Sequence, residues 1–298
     1  MKKNNLKAWL YLLPAILFLG VFMVYPLIDV CFYSLEENYQ SIAQTYTGVG
    51  LGNFGHVLSD PFFIQALKNT LILVAITVPV STGISLLIAL GLSSIKTLKK
   101  AFQTIYFLPY VTNTLAVGLV FMILFARTEY TDGLINALIN SLGYDMVDFI
   151  NGPYWAKMLV TCLYTVWIVM PFKILILTSA LASVNQDYYK AATVDGAGRM
   201  QQVFHVTLPS ILSTIVIMLI TRIGSLLNIG YEKVLLLYNT KTYVTADVIS
   251  TLSYRTGLGG GAGTGIASAA EMMNNVVGML LVIGANTIAR KAANTSLY

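Results

Sequence analysis

Two histidines, two cysteines and 13 carboxylates are the stock from which this 298-residue chain would have to build acid–base, nucleophilic or metal chemistry. None is grouped as such chemistry requires. A structural or catalytic metal needs several ligands at short repeated spacings, and a hydrolytic centre needs a nucleophile within reach of its base. His56, His205, Cys31 and Cys162 stand far apart, and no paired carboxylates fall within the apolar runs. Each histidine reads as a surface or interface residue, and each thiol as lipid- or core-facing. "GLGNFG" at residues 50–55 matches a dinucleotide fingerprint by letters alone, without a strand-turn-helix unit around it. "GLGGGAGTG" at 257–265 lacks the Lys-Ser/Thr that follows a phosphate-binding loop. The expectation is a chain with no catalytic residue, no metal ligands and no cofactor of its own.

What does stand out is a small set of polar groups inside apolar runs: Tyr164, Trp167 and Lys173 in one, Arg222 in the next, and Glu271, Asn274 and Asn275 in the last. Ionisable side chains at membrane depth are costly, so they face a cavity or a partner. Two readings are open. In the first, Arg222, Glu271, Asn274 and Asn275 line a polar route that offers donors and acceptors to sugar hydroxyls, with Trp167 or Tyr164 as a stacking face. In the second, Arg222 and Glu271 form a buried structural pair and the amides bond across helices.

The elements that must position these residues follow from composition. The chain is 56% hydrophobic and 10% charged, against about a quarter charged in a soluble domain, which points to a membrane protein. A hydrocarbon core of about 30 Å needs about 20 helical residues. Six segments satisfy this, at 9–34, 70–92, 102–126, 156–181, 210–230 and 265–289, so the fold class is an all-α polytopic membrane protein, read as one transmembrane domain over 1–298. Prolines 14, 26, 79, 109 and 171 fall inside these runs, where a bundle can re-satisfy freed carbonyls; kinks are expected, breaks are not. The basic start before the first run resembles a signal peptide, but the run is too long and lacks a small-residue cleavage site, so it reads as a retained span. On this ruler Lys173 lies about 15 Å from the inner end of its span, Arg222 about 20 Å above Pro209 and Glu271 about 28 Å above Arg290.

Orientation comes from cations near the span ends. Lys2, Lys3 and Lys7, then Lys96, Lys99 and Lys100, then Lys190 and Arg199, then Arg290 and Lys291 all fall on one side, taken as the cytoplasm. Both termini are therefore expected inside, and the net charge of +5 concerns topology and offers no case for nucleic acid.

One long polar stretch, within residues 184–209, interrupts the second half. Ala191 and Ala192 sit among adequate helix formers, Gly196 and Gly198 interrupt, and a second helical piece from Arg199 is expected to stop at Pro209. This predicts a cytoplasmic helix-turn-helix too polar for the bilayer, with Tyr189, Ala192 and Ala197 seeking a protein surface. It behaves as a plug for a groove.

The spacing Ala191-Ala192, Gly196, Val206, Leu208-Pro209, with "VDGA" at 194–197, resembles the signature of permease subunits of binding-protein-dependent ABC importers. "FLPYV" at 107–111, Pro171-Phe172, 52–70 and 230–258 are similar to the maltose and multiple-sugar branch, the last stretch and the C-terminal "RKAANTSLY" to permeases for complex oligosaccharides. The resemblance implies a six-helix transmembrane domain of a type I ABC importer, a second related permease forming a heterodimer, two ATP-binding cassette subunits that carry ATP and Mg, an extracytoplasmic solute-binding protein and an oligosaccharide substrate, in a prokaryotic cell membrane. It also implies that Tyr189, Lys190, Ala191 and Ala192 form a docking helix, that Asp195, Gly196 and Ala197 make its turn, and that Phe204 with Leu208 and Pro209 anchors it to the fifth span. Lys190 departs from the pattern, standing where most members have glutamate, so a compensating change in the ATPase or the partner permease is expected. An ion- or proton-coupled secondary transporter also fits six spans with a few buried charges, but not this signature.

Overall fold

The computed structural model describes residues 2–40, 45–95, 98–127, 132–226, 247–257 and 263–293. Among them, five helices are long and apolar enough to cross a membrane, and a bent pair makes a sixth candidate crossing. The first consists of α1 (Lys2–Leu19), a π-helical segment at Gly20–Val24 and α2 (Tyr25–Ser34). It is followed by β1 (Glu36–Gln40), β2 (Thr45–Gly48), α3 (Gly52–Ser59) and the long α4 (Pro61–Ser94). Next come α5 (Lys99–Val111), α6 (Thr114–Phe125), α7 (Leu134–Ser141) and α8 (Tyr154–Ser183). The polar stretch contributes α9 (Gln186–Val194) and α10 (Arg199–Gln202), which lead into α11 (Leu208–Leu226); α12 (Ile249–Gly257) and α13 (Thr264–Ala293) complete the described chain.

The structure differs from the sequence reading in two helices. The third span is broken, not merely kinked: α5 and α6 meet at 95°. Pro109 removes a helical donor, Thr112 turns to extended backbone (φ −70°, ψ 143°), and the Asn113 side chain accepts from Leu115 N–H at 2.8 Å, capping a fresh helix. Conversely, Pro209 does not stop the polar stretch. The chain passes from α10 through a π-helical segment at Val203–Thr207 directly into α11, so Pro209 lies inside a continuous helix, just after the widened π-helical turn. Outside the spans, β1 and β2 pair as an antiparallel ribbon with Glu36 opposite Gly48.

Two compact units divide the chain. Unit 1, residues 1–64 and 251–276, is organised around Asn53, whose buried amide donates to the carbonyls of Ser34 (3.0 Å) and Glu36 (2.8 Å). The first turn of α13 packs so closely here that a Cβ on Gly265 would collide with the Glu36 carbonyl, and the buried residues after it are small: Ala267, Ala269 and Ala270. Close approach of helices through small residues is how membrane bundles gain packing energy without a hydrophobic drive.

Unit 2, residues 65–250 and 277–298, packs α8 against its neighbours. Toward one end, Val117 and Phe125 of α6 meet Val160, Tyr164 and Ile168 of α8. Toward the other, Ile174, Leu177 and Leu181 of α8 meet Ala89 of α4 and Ile211 and Met218 of α11. Buried Asn136 ties the loop after α7, donating to the carbonyls of Ala126 and Val147 and accepting from Val147 N–H.

Candidate functional site

The polar stretch is a self-bonded hairpin. Asn185 caps α9 by accepting from Asp187 N–H at 2.9 Å. At the other end, Gly196 takes a left-handed conformation (φ +77°), with Ala197 N–H donating to Ala192 O (2.9 Å) and Gly196 N–H to Thr193 O (3.1 Å). This pair of bonds is the Schellman arrangement, which glycine enters without the steric penalty a Cβ would bring. Asp195 is the C-cap residue, and Gln201 then accepts from Gly198 N–H at 2.8 Å to start the second arm. Cross-braces lock the two arms: Gln202 Nε2 donates to Thr193 Oγ1 and to Ala197 O, both at 3.1 Å, and the Tyr189 and Thr207 hydroxyls meet at 3.0 Å. Because the second arm is continuous with α11, the hairpin is a rigid extension of a membrane helix.

Tyr189, Ala192 and Ala197 are half-buried, while Lys190, Ala191 and Asp195 are exposed. Lys190 Nζ pairs with Asp187 Oδ1 at 2.8 Å, on the surface. The expected anchoring by Phe204 does not occur within this chain: its ring is 58% exposed, and Tyr189, reaching Thr207, fastens the arms instead. Leu208 is half-buried and Pro209 exposed. The sequence reading also missed the apolar residues that point outward, Val194 (87% exposed), Met200 and Tyr188. The signal was available, since apolar residues in a stretch too polar for lipid need another cover. Between the arms lies an open concavity of about 290 Å³ lined by Ala192, Gly196, Ala197, Gln201, His205 and Val206.

A second constellation sits in unit 2. Lys173 is 3% exposed. Its ammonium donates to Ser81 Oγ and Thr82 Oγ1, both at 2.7 Å, and to Val78 O at 3.4 Å. The two hydroxyls give their own protons to the carbonyls of Thr77 and Val78 on α4, which leaves their lone pairs to face the cation. Beside it, the Tyr110 ring of α5 stacks on Phe172 of α8 with centroids 5.6 Å apart and planes 16° from parallel. Arg222 of α11 is within electrostatic reach of both Tyr110 and Lys173. Neither Tyr110 nor Phe172 was singled out from sequence as a contact, though both lie inside stretches that carry the resemblance.

Tyr164, offered as a stacking face, is instead core. It is 1% exposed, with its hydroxyl donating to Thr114 O at 3.0 Å and its ring edge-on to Phe121. Trp167 is exposed. In unit 1, Asn274 is fully buried, Asn275 is exposed, and half-buried Glu271 lies near Ser253 and Asn274. Arg222 belongs to one unit and Glu271 to the other, and their pairing stays an expectation from depth. Much of the stretch 230–258 falls outside the described residues, as do most of the glycine-rich loop after it and the end of "RKAANTSLY".

Comparison with known proteins supplies the frame for both constellations. A family described as "Binding-protein-dependent transport system inner membrane component" matches residues 81–269. The chain is 32% identical to protein LplB of Bacillus subtilis (strain 168), over 97% of this chain and 91% of that protein. It is 31% identical to the polygalacturonan/rhamnogalacturonan transport system permease protein YteP of the same organism, over 97% and 89%. Among solved structures, a chain of a bacterial alginate ABC transporter in complex with alginate pentasaccharide-bound periplasmic protein superposes with a TM-score of 0.85 at 30% identity, covering 99% of this chain and 98% of that one. A chain of the MetNI methionine ABC transporter, 15% identical with a TM-score of 0.56, shares the fold.

Proposed function

Since the chain belongs to the binding-protein-dependent transport system inner membrane components and is a membrane-embedded permease subunit of an ABC importer in a prokaryotic cell membrane, we propose how it works and with what. The hairpin at 184–209 docks into a separate ATP-hydrolysing subunit, two copies of which bind ATP and Mg and serve this permease and a second, related one. An extracytoplasmic solute-binding protein delivers an oligosaccharide to the opposite side. Both termini face the cytoplasm.

The observation that carries this reading is mechanical. A polar hairpin, braced by its own hydrogen bonds and continuous with α11, shows Val194, Met200 and Tyr188 outward, uncovered by its own chain. When the motor subunits close on ATP, a rigid element seated in them moves, and α11 moves with it, so access alternates. A secondary carrier has no use for such a handle.

Gentle purification of the assembly tests this. A nucleotide hydrolase is expected to co-elute and to cross-link to positions 188, 194 and 200. Gly196→Trp is expected to leave membrane insertion intact while abolishing both co-elution and transport, and normal transport by this variant overturns the docking role. Lys190→Glu tests the departure from the family pattern: we expect weaker hydrolase binding, because the partner surface is matched to a cation, and unchanged or tighter binding rejects that matching.

A further inference from the structure

The short helix α7 carries a face that its own chain leaves open. Leu134, Leu138 and Leu142 recur every fourth residue and so share one side of it, and all three are between 57% and 68% exposed. Ile135 and Ile139, on the adjoining side, pack into the core that α6 and α8 form, and exposed Asn140 lies roughly half a turn from Leu138. The helix cannot roll to bury the leucines without breaking its anchor, because Asn136 is fully buried and holds the backbone at Ala126 and Val147 through three hydrogen bonds. Residues 133–142 contain no charged side chain, which is not the composition of a helix standing in water.

The start of α7 is fixed against the end of a crossing helix. Gly133, the residue before it, donates its N–H to Ala126 O at 2.9 Å, and a Cβ there would collide with the carbonyls of Ile123 and Leu124. Leu134 is therefore level with the last turn of α6, where Ile123 is 70% exposed. Apolar residues of a crossing helix that turn away from their own chain meet hydrocarbon, and a single backbone contact separates them from the leucines of α7. The same level carries aromatic residues of the kind that favour a membrane boundary. Phe125, ending α6, is edge-on to Phe149 at 5.3 Å, and Phe149 is edge-on to Trp155 of the first turn of α8 at 6.3 Å; Trp155 and Tyr144 are exposed. This is the end of α8 remote from the polar hairpin.

We propose that α7 is a lipid-binding element that lies in the plane of the membrane, with Leu134, Leu138 and Leu142 in the acyl-chain boundary of the leaflet and Asn140 in water. Removing the three leucines from water is favourable in proportion to the apolar area covered, and no charge has to be desolvated with them. The use of such an anchor follows from length. The helix α6 has 12 residues, about 18 Å, and cannot by itself cross a core of about 30 Å. Holding α7 in the interface sets the depth of this short segment, whose other end is the sharp break at Thr112 and Asn113. The anchor needs no particular partner at the hairpin, so it and the docking role stand or fall separately.

The test uses the purified assembly in vesicles of phosphatidylethanolamine and phosphatidylglycerol, with Cys31→Ser and Cys162→Ala as background. A nitroxide is attached in turn through Ile123→Cys, Leu134→Cys, Leu138→Cys, Asn140→Cys and Leu142→Cys, and power-saturation EPR reads its collisions with oxygen, which concentrates in hydrocarbon, and with a nickel chelate, which stays in water. Oxygen collisions are expected to exceed nickel collisions at 134, 138 and 142, as at 123, with a depth at the three leucine positions of about 5–10 Å. Nickel is expected to exceed oxygen at 140. Nickel in excess at the three leucine positions overturns the lipid contact and leaves the face to a soluble partner. Exclusion of both reagents there overturns it too, and means that another subunit covers the face. Oxygen in excess at 140 as well places the whole helix inside the bilayer and overturns the in-plane arrangement. If the labelled chains do not assemble, Leu138→Trp decides: lipid brominated near the headgroup is expected to quench its fluorescence beyond that of the unsubstituted protein, and no added quenching overturns the anchor.

Discussion

Two lysines show how differently this molecule treats a positive charge inside the bilayer and outside it. Lys190, on the polar hairpin, has a formal counter-ion at 2.8 Å, yet both partners are exposed to water. A pair of this kind contributes little, because solvent screens the attraction and the long side chains lose entropy on pairing. Lys173 is buried instead among neutral acceptors, Ser81, Thr82 and the Val78 carbonyl. Away from water, those three oriented dipoles replace the hydration shell, and removing them leaves a desolvated charge. The lesson is that an ion pair visible in a structure is a poor guide to energy, and that hydroxyls can matter more than an acid.

That contrast can be broken most forcefully at its buried end. Ser81→Ala with Thr82→Val is expected to destabilise the purified protein by about 3 kcal/mol or more, at roughly 1.5–3 kcal/mol for each hydrogen bond to a charged group. Lys173→Met should cost less, since it removes the charge along with its need for acceptors. Thermal melting in detergent gives the order, and a costlier Lys173→Met would mean that the ammonium itself holds α4 to α8. At the hairpin, Gly196→Ala is expected to cost about 1–2 kcal/mol through its left-handed backbone, seen as faster amide exchange at Gly196 and Ala197. Tyr189→Phe should cost about 1 kcal/mol by removing the hydroxyl contact with Thr207, read as loosening of the two arms in the same exchange experiment. The smallest effect belongs to Lys190→Ala, within about 0.5 kcal/mol. A larger loss of stability would show that the surface pair matters after all and would erase the distinction.

Much of the polar hairpin was legible from sequence because its determinants are local. The good helix formers at Ala191 and Ala192 and the glycine at 196 act on backbone within a few residues, and the left-handed turn falls at that glycine; the cap at Asn185 is equally local, though it went unread. Pro209 was misleading for the same local reason: as a letter it signals an end, but a π-helical segment before it lets the helix continue. The break at Asn113 had a local signal too, an asparagine before an apolar run two residues after a proline-bearing turn, which the overall hydrophobicity of the stretch concealed. The anchoring role of Phe204 came from the resemblance and not from its neighbours in sequence, and only the packing of the two arms showed Tyr189 bonded to Thr207.

By itself, the sequence determined that this chain crosses a membrane about six times, where its polar handle lies, and where that handle turns. These follow from run length, composition and caps, which are properties of neighbouring residues. Only the tertiary structure decided that Lys173 is answered by hydroxyls from α4, that Tyr164 is core, and that Tyr110 of α5 stacks on Phe172 of α8. Apolar helices are interchangeable as strings, and which faces meet is fixed by side-chain packing between segments that lie tens of residues apart or more.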